Sequence, residues 1–101
     1  MPDEVEEIKN IASKFKEKYP EAKEYLDDMV YFGEWAELIA NHCVIFTLLN
    51  AYGDFKSNMK DAIKIGNIEQ EDAKKLIDAD YKLVVNIEKA LREKCGLKPP
   101  Y

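Results

Sequence analysis

The sequence predicts an all-α fold, a small helical bundle of about four helices. Three observations lead there. Apolar residues recur at spacings of three and four through every long segment, which places them on one face of a helix. Strand formers nowhere gather into an alternating run: Thr occurs once in 101 residues, while Lys, Glu, Ile and Tyr are plentiful. The Gly and Pro residues, four of each, stand where periodic runs end, with Gly33 as the exception.

The first helix is predicted from about Asp3 to Lys18. Val5, Ile8, Ile11, Ala12, Phe15 and Tyr19 fall on one arc, and Glu4, Glu7, Lys14 and Lys16 face away. Asp3, Glu4, Glu6 and Glu7 crowd the first turns, where the helix dipole favours anions. Tyr19-Pro20 ends the helix, because proline disfavours the α conformation at the residue before it and suits the first position of the next helix.

The second helix contains the most apolar stretch of the chain, GEWAELIANHCVIFTLLNAYG, Gly33 to Gly53. Ala22, Leu26, Met29, Gly33, Ala36, Ala40, Cys43, Thr47 and Asn50 repeat at alternating gaps of four and three. So do Tyr25, Asp28, Phe32, Trp35, Ile39, His42, Phe46 and Leu49. The first seam is mostly small from Gly33 onward, and the second is mostly large. Both keep phase through Gly33, so the pattern predicts one long central helix from about residue 20 to 52, roughly 50 Å long at 1.5 Å per residue. Glycine inside it costs about 1 kcal/mol relative to alanine, which close approach of a neighbour would offset. A helix with two apolar flanks needs neighbours on both: other helices of the chain, or a second copy.

Gly53-Asp54 reads as a break, with Gly just past a helix and Asp as the next cap. Phe55, Met59, Ala62 and Ile63 then predict a short helix over about 54–64, and Gly66-Asn67 breaks the chain again. The last helix is predicted from about 68 to 95, with an apolar arc of Ala73, Leu76, Ile77, Leu83, Val84, Ile87, Ala90 and Leu91. Its start is either Asn67 as cap with Gln70 at the third position, or Glu69 as cap with Ile68 stapled onto Ala73. Gly96 suits a C-terminal stop and Pro99-Pro100 forbid continuation. The expected organisation is a single bundle domain over 1–95 and an extended tail over 96–101.

The net charge is −5, and it is uneven. Residues 1–50 carry 5 basic and 11 acidic side chains, the remainder 10 and 9. No basic stripe interleaved with aromatics offers a surface for a phosphate backbone, so direct nucleic-acid binding is not expected. The apolar run from Leu38 to Tyr52 is interrupted by Asn41, His42, Thr47 and Asn50 and falls short of the ~20 residues of a membrane span. The charged start MPDEVEEIKN has no apolar signal core, which predicts a cytoplasmic protein. Cys43 and Cys95 form no CxxC and no framework, so reduced thiols are expected. Few Thr, Gln and Ser beside many Lys and Glu is a bias seen in thermophile proteins, and equally in AT-rich genomes.

Several residues could carry chemistry. His42 lies on the large seam, and Asp80 sits near the centre of the last helix's apolar arc. A buried carboxylate needs a partner. With the long central helix and the last helix antiparallel and adjacent, His42 and Asp80 come to a similar level. The expectation is a buried His42–Asp80 hydrogen bond, or one of the two meeting a Tyr or a chain-mate. His42 and Cys43, adjacent on a helix, point about 100° apart and cannot act as a catalytic pair. Glu34-Trp35-Ala36-Glu37 is an ExxE, and Glu69-Gln70-Glu71-Asp72 contains an ExxD. This pairing resembles that of the MazG-type helical nucleotide pyrophosphatases, which implies Mg²⁺ held against a triphosphate. The resemblance covers four positions only. It departs from the pattern because Glu69 and Asp72 open their helix, where acids are expected anyway, and because Glu34 and Glu37 should lie nearer Leu83 and Asn86 than Glu69. A di-iron site would want two Glu-x-x-His motifs, and this chain has one His. No cofactor or metal is expected, and no catalytic residue is assigned.

The function expected is a non-enzymatic protein–protein interaction module, self-associating as a homodimer or serving as a small subunit of a larger assembly. The close-contact surface expected is Gly33, Ala36, Ala40, Cys43 and Thr47, facing a chain-mate or another helix of the same chain. One alternative is a small acidic viral or mobile-element inhibitor or adaptor that uses Asp3, Glu4, Glu6 and Glu7 against a basic partner. The other is the MazG-like hydrolase.

Overall fold

Four α-helices and one 3-10 turn follow one another without a strand among the described residues. The structure is a computed structural model that describes residues 4–97. The expected helix start at Asp3 and the tail beyond Leu97 lie outside the described residues. Helix α1 spans Glu4–Lys18, a 3-10 turn Pro20–Ala22, α2 Lys23–Asn41, α3 Ile45–Ile65 and α4 Gln70–Cys95. The all-α bundle stands as predicted, and so does the first boundary. Tyr19 leaves the helical region (φ −128°, ψ 76°) and Pro20 opens the 3-10 turn.

The single rod over 20–52 does not exist, and neither does the separate short helix over 54–64. The chain reverses over His42, Cys43 and Val44, and α3 runs unbroken across Gly53. The reversal is a Schellman cap. The Cys43 amide donates to the Ala40 carbonyl (3.3 Å) and the Val44 amide to the Ile39 carbonyl (3.4 Å). Cys43 takes the left-handed conformation this cap requires, at φ 62°, a position usually held by Gly or Asn. The buried faces confirm the change of direction. On α2 they are Leu26, Met29, Gly33, Ala36, Ile39 and Ala40; on α3 they are Leu48, Ala51, Phe55, Met59 and Ala62. The eight residues from Ala40 to Leu48 would turn a continuous helix about 80° beyond two full turns, so the two arcs never shared a face. Gly53 is exposed, with nothing within 4 Å of where its Cβ would stand.

Helix α2 is the one on which all the others pack. Lys9–Glu34 (2.8 Å) and Lys16–Asp27 (2.7 Å) set α1 antiparallel to α2. Lys82–Glu7 (3.1 Å) and Lys18–Asp72 (2.9 Å) set α1 antiparallel to α4. Because α3 doubles back, α4 runs parallel to α2. Asn86 Nδ2 accordingly donates to Glu37 Oε2 (2.9 Å), and Lys94 Nζ donates to Asn41 Oδ1 at the tips. The 26 residues of α4, about 39 Å of helix, account for the longest dimension of 41 Å.

Two close approaches explain two glycines. A Cβ at Gly33 would meet the Phe55 ring at 3.2 and 3.3 Å, so the small flank of α2 is filled by α3 of the same chain. A Cβ at Gly66 would stand 2.7 Å from both the Ala22 Cβ and the Ala62 carbonyl oxygen. Asn67 then takes φ 52°, and the Ile68 amide reaches back to the Ile63 carbonyl (3.0 Å), a second Schellman cap. Glu69 is the N-cap residue of α4, in extended conformation, with Ile68 buried before it. Gly96 ends α4 at φ 71°.

The two cysteines are not reduced thiols. Cys43 and Cys95 form a disulfide across 52 positions, with Cα atoms 5.6 Å apart. It fastens the α2–α3 reversal to the end of α4. Closing a loop of that length stabilises the fold by ~4 kcal/mol in the chain-entropy account.

The glycines divide into those that packing requires and those it does not. Gly66→Ala is expected to destabilise the protein by about 1–3 kcal/mol, because neither the Ala22 methyl nor a backbone carbonyl can withdraw. Gly53→Ala, exposed in mid-helix, is expected to stabilise it by up to about 1 kcal/mol. Urea unfolding midpoints of the two variants should therefore move in opposite directions.

Candidate interaction surface

The fold leaves part of the large seam open: Trp35, Phe46 and Leu49 are exposed, whereas Ile39 is buried and Tyr25 and Phe32 are half-buried. Gly33, Ala36 and Ala40 of the small seam are buried inside the chain's own bundle, so they are a close-contact surface between helices of one chain. Cys43 belongs to the disulfide, and Thr47 is exposed on α3. On the other flank of α2, Tyr31, Trp35 and Leu38 are exposed, and across the reversal Val44, Ile45, Phe46 and Leu49 are exposed too. Among the described residues these are seven of the eleven exposed large hydrophobics, gathered within residues 31–49. Phe46 is 85% exposed, which no packing within the chain explains.

A shallow groove of about 270 Å³ runs between the two helices. Tyr31, Phe32, Trp35 and Ile39 form one wall, and Thr47, Asn50, Ala51 and Asp54 the other. The aromatic wall is ordered edge to face: the Tyr31 ring lies 5.1 Å from Phe32 and 6.3 Å from Trp35, centroid to centroid. A second depression beside it is lined by Tyr31, Glu34, Trp35 and Leu38. Such a surface can bury an apolar partner and orient it through a few polar groups. A separate apolar line, Ile77, Tyr81 and Val85, lies on the outer face of α4.

The expected His42–Asp80 pair is not formed. His42 is exposed at the tip of α2, and its Nδ1–H donates to the Leu38 carbonyl at 2.9 Å. The pairing assumed that the residue-20-to-52 rod ran antiparallel to α4. With α4 parallel to α2, His42 sits near Cys95, about 22 Å of helix away from Asp80. The alternative partner, a Tyr, is the one found: Tyr52 Oη donates to Asp80 Oδ1 at 2.8 Å, with Lys56 Nζ at 3.6 Å from Oδ2. Burial and this bond raise the Tyr52 pKa above the usual phenol value.

The two acidic pairs lie in different places. Glu34 faces Lys9 of α1, which the sequence spacing does not predict. Glu37 accepts from Asn86 across a parallel helix pair, not the antiparallel one from which that neighbour is expected. Asp72 is about fourteen residues, ~21 Å, further down α4 from Asn86. It accepts from Tyr19 Oη (2.6 Å) and from Lys18 Nζ (2.9 Å), with Lys75 at 3.6 Å. The Glu69 amide donates to Tyr19 Oη in turn (3.2 Å), so this cluster locks the end of α1 to the start of α4. Among the described residues no group of three or more His, Cys, Asp or Glu side chains could hold a metal ion. Glu6 and Glu7 face Lys9 and Lys82, so the acidic start is partly neutralised within the chain.

No helix among the described residues is long and apolar enough to cross a membrane. Compared with protein-family models, with curated proteins and with solved structures, the chain shows no match. Function therefore rests on this geometry alone.

The Tyr19 hydroxyl, then Lys18, hold the Asp72 carboxyl below the usual carboxylate range. A carboxyl lowered on folding stabilises the fold above its unfolded pKa, near 4, and loses that contribution as pH falls through the folded value. Asp72→Asn is expected to be less stable than the parent at neutral pH. The gap should narrow progressively below about pH 4, as thermal unfolding across an acidic pH series would show.

Proposed function

We propose that this chain is a non-enzymatic interaction module that self-associates through the outer face of the α2–α3 hairpin. The observation that carries the reading is the exposed apolar face itself. Two packed helices frame a shallow groove lined by Tyr31, Phe32, Trp35 and Ile39 against Thr47, Asn50, Ala51 and Asp54, and the reversal that joins them leaves Val44, Ile45 and Phe46 exposed. Apolar patches of this kind mark association sites, and aromatic residues dominate the energetics of such contacts. Each large side chain withdrawn from water contributes on the order of 1.5–3 kcal/mol.

A second copy of the chain is the partner proposed. The face carries aromatic and aliphatic groups with Thr47 and Asn50 among them, and no Lys or Arg lines the groove. Two such faces meeting about a two-fold axis would bury apolar groups against each other and keep Glu34, in the neighbouring depression, toward the rim. The partly neutralised N-terminal acids give less support to an adaptor that reads a basic partner. The separation of the Glu34–Glu37 and Glu69–Asp72 pairs gives none to a Mg²⁺-dependent hydrolase.

The compartment proposed is the cytoplasm of an organism living at high temperature. Intracellular disulfides are common there, and the Lys- and Glu-rich, amide-poor composition points the same way.

Sedimentation equilibrium decides the main point. The parent protein is expected to be a dimer in reversible equilibrium. Phe46→Asp, placed on a side chain that the monomer leaves exposed, should weaken association by about tenfold or more while thermal stability changes little. A parent that remains monomeric at the highest soluble concentration would remove the proposal.

A further inference from the structure

The reversal that opens the docking face is also its weakest part. Residues 42–47 are six consecutive exposed positions, and the first buried side chain of α3 is Leu48. The first turn of α3 is poorly secured. Its cap residue Val44 makes no side-chain capping bond, and no acidic residue lies in that turn. Val44, Ile45 and Thr47 are β-branched, which lowers helix propensity. Cys43 holds a left-handed backbone at φ 62°, unfavourable for a side chain with a Cβ. What fastens this segment to the rest of the bundle is the bond from Cys43 to Cys95.

We infer that the Cys43–Cys95 disulfide is a reversible redox gate on the docking face. The inference rests on the self-association proposed above and adds its regulation. Oxidised, the bond anchors the entrance of α3, so Thr47 and Asn50 of the groove's second wall stand in fixed positions opposite Trp35. Reduced, the first turn of α3 frays, and the face loses its pre-organised form.

The bond is placed for exchange. Cys43 is exposed, whereas Cys95 is half-buried with its Sγ 3.4 Å from the Ala40 carbonyl oxygen. A thiolate of a dithiol reductant attacks the Cys43 sulfur, the S–S bond breaks, and Cys95 leaves as a thiolate. The second thiol of the reductant then displaces Cys43 and closes the reductant into its own disulfide. Two electrons pass to the cysteine pair, and the two protons released by the reductant end on the sulfurs of Cys43 and Cys95. Oxidation by a disulfide runs the same steps in reverse.

The test uses the full chain, oxidised and after treatment with dithiothreitol, with free thiols counted. Amide hydrogen exchange reads the gate directly. The Leu48 amide donates to the Val44 carbonyl at 2.9 Å, so its protection reports the first turn of α3. Reduction is expected to speed exchange at Leu48 and Leu49 by about tenfold or more, while Leu26 and Leu83 in the core stay protected. It should also weaken self-association about tenfold in sedimentation. The double variant Cys43→Ser with Cys95→Ser should match the reduced parent and ignore dithiothreitol. Three results would overturn the gate: a disulfide that dithiothreitol leaves intact in the folded protein, unchanged exchange at Leu48 on reduction, or a uniform rise in exchange across the core. If the oxidised protein never associates, the proposed function falls, and the gate is judged on the exchange pattern alone.

Discussion

The reversal at His42, Cys43 and Val44 is the constraint from which the rest of this structure follows. It turns α3 back along α2, brings the Phe55 ring against Gly33, and so fills the small flank of α2 from within the chain. It also makes α4 run parallel to α2, which puts Glu37 beside Asn86 and Cys43 beside Cys95. Had the chain continued straight, α3 could not have reached α2, and Leu48, Phe55 and Met59 would have needed another neighbour. A three-residue turn thus settles which apolar surface is core and which is left to solvent. Its stability comes from three backbone bonds and one covalent bond, with little from side-chain packing at the tip itself.

Much of the bundle could be read from residue spacing. The ends of α1 and α4 and the break at Gly66-Asn67 each have a residue whose chemistry demands them, Pro20, Gly96 and Asn67, whereas the start of α4 is open in the sequence between Asn67 and Glu69, and the fold takes Glu69. The turn at 42–44 has no such residue, because Cys is a rare occupant of the left-handed position. The heptad that continues through Cys43, Thr47 and Asn50 hides it further. A shift of about 80° between two arcs is small enough for a polar residue here and there to seem in phase. Gly53 misled in the opposite sense, since a solvent-facing glycine inside a helix looks the same in sequence as one past its end. The aromatic face was legible as a list, in Trp35, Phe46 and Leu49. That it was exposed could be known only once the reversal had taken its neighbour elsewhere, and Tyr31 and Leu38 gave no signal before that.

Among the described residues Asp72 and Asp80 are the two buried carboxylates, and each is met by a tyrosine hydroxyl and at least one lysine. They do not add stability merely by being charged, since burial of a carboxylate is costly unless it is paired. Their effect is on arrangement. Asp72 accepts only if Tyr19 ends α1 at the level where α4 begins, and Asp80 only if α3 places Tyr52 against the middle of α4. A slip of either helix by one turn would strand a carboxylate in the core. The two pairs therefore discriminate against other registers of the same apolar arcs, and no buried side-chain N or O atom among the described residues is left without a partner.

The same reasoning separates the ends of the bundle. At the end where α1 meets α4, a dense polar cluster of Lys18, Tyr19, Glu69 and Asp72 closes the structure by many non-covalent contacts. At the opposite end, where α2 turns into α3, most exposed groups are apolar, and the polar contacts reduce to His42 on the Leu38 carbonyl and Lys94 on Asn41. An apolar tip that must stay open to a partner cannot also be buried to hold itself in shape. A covalent bond placed behind the tip, from Cys43 to Cys95, resolves that conflict, because it restricts the backbone without covering Trp35, Phe46 or Leu49. It follows that order at this end depends on a bond that chemistry outside the protein can break, whereas order at the other end does not.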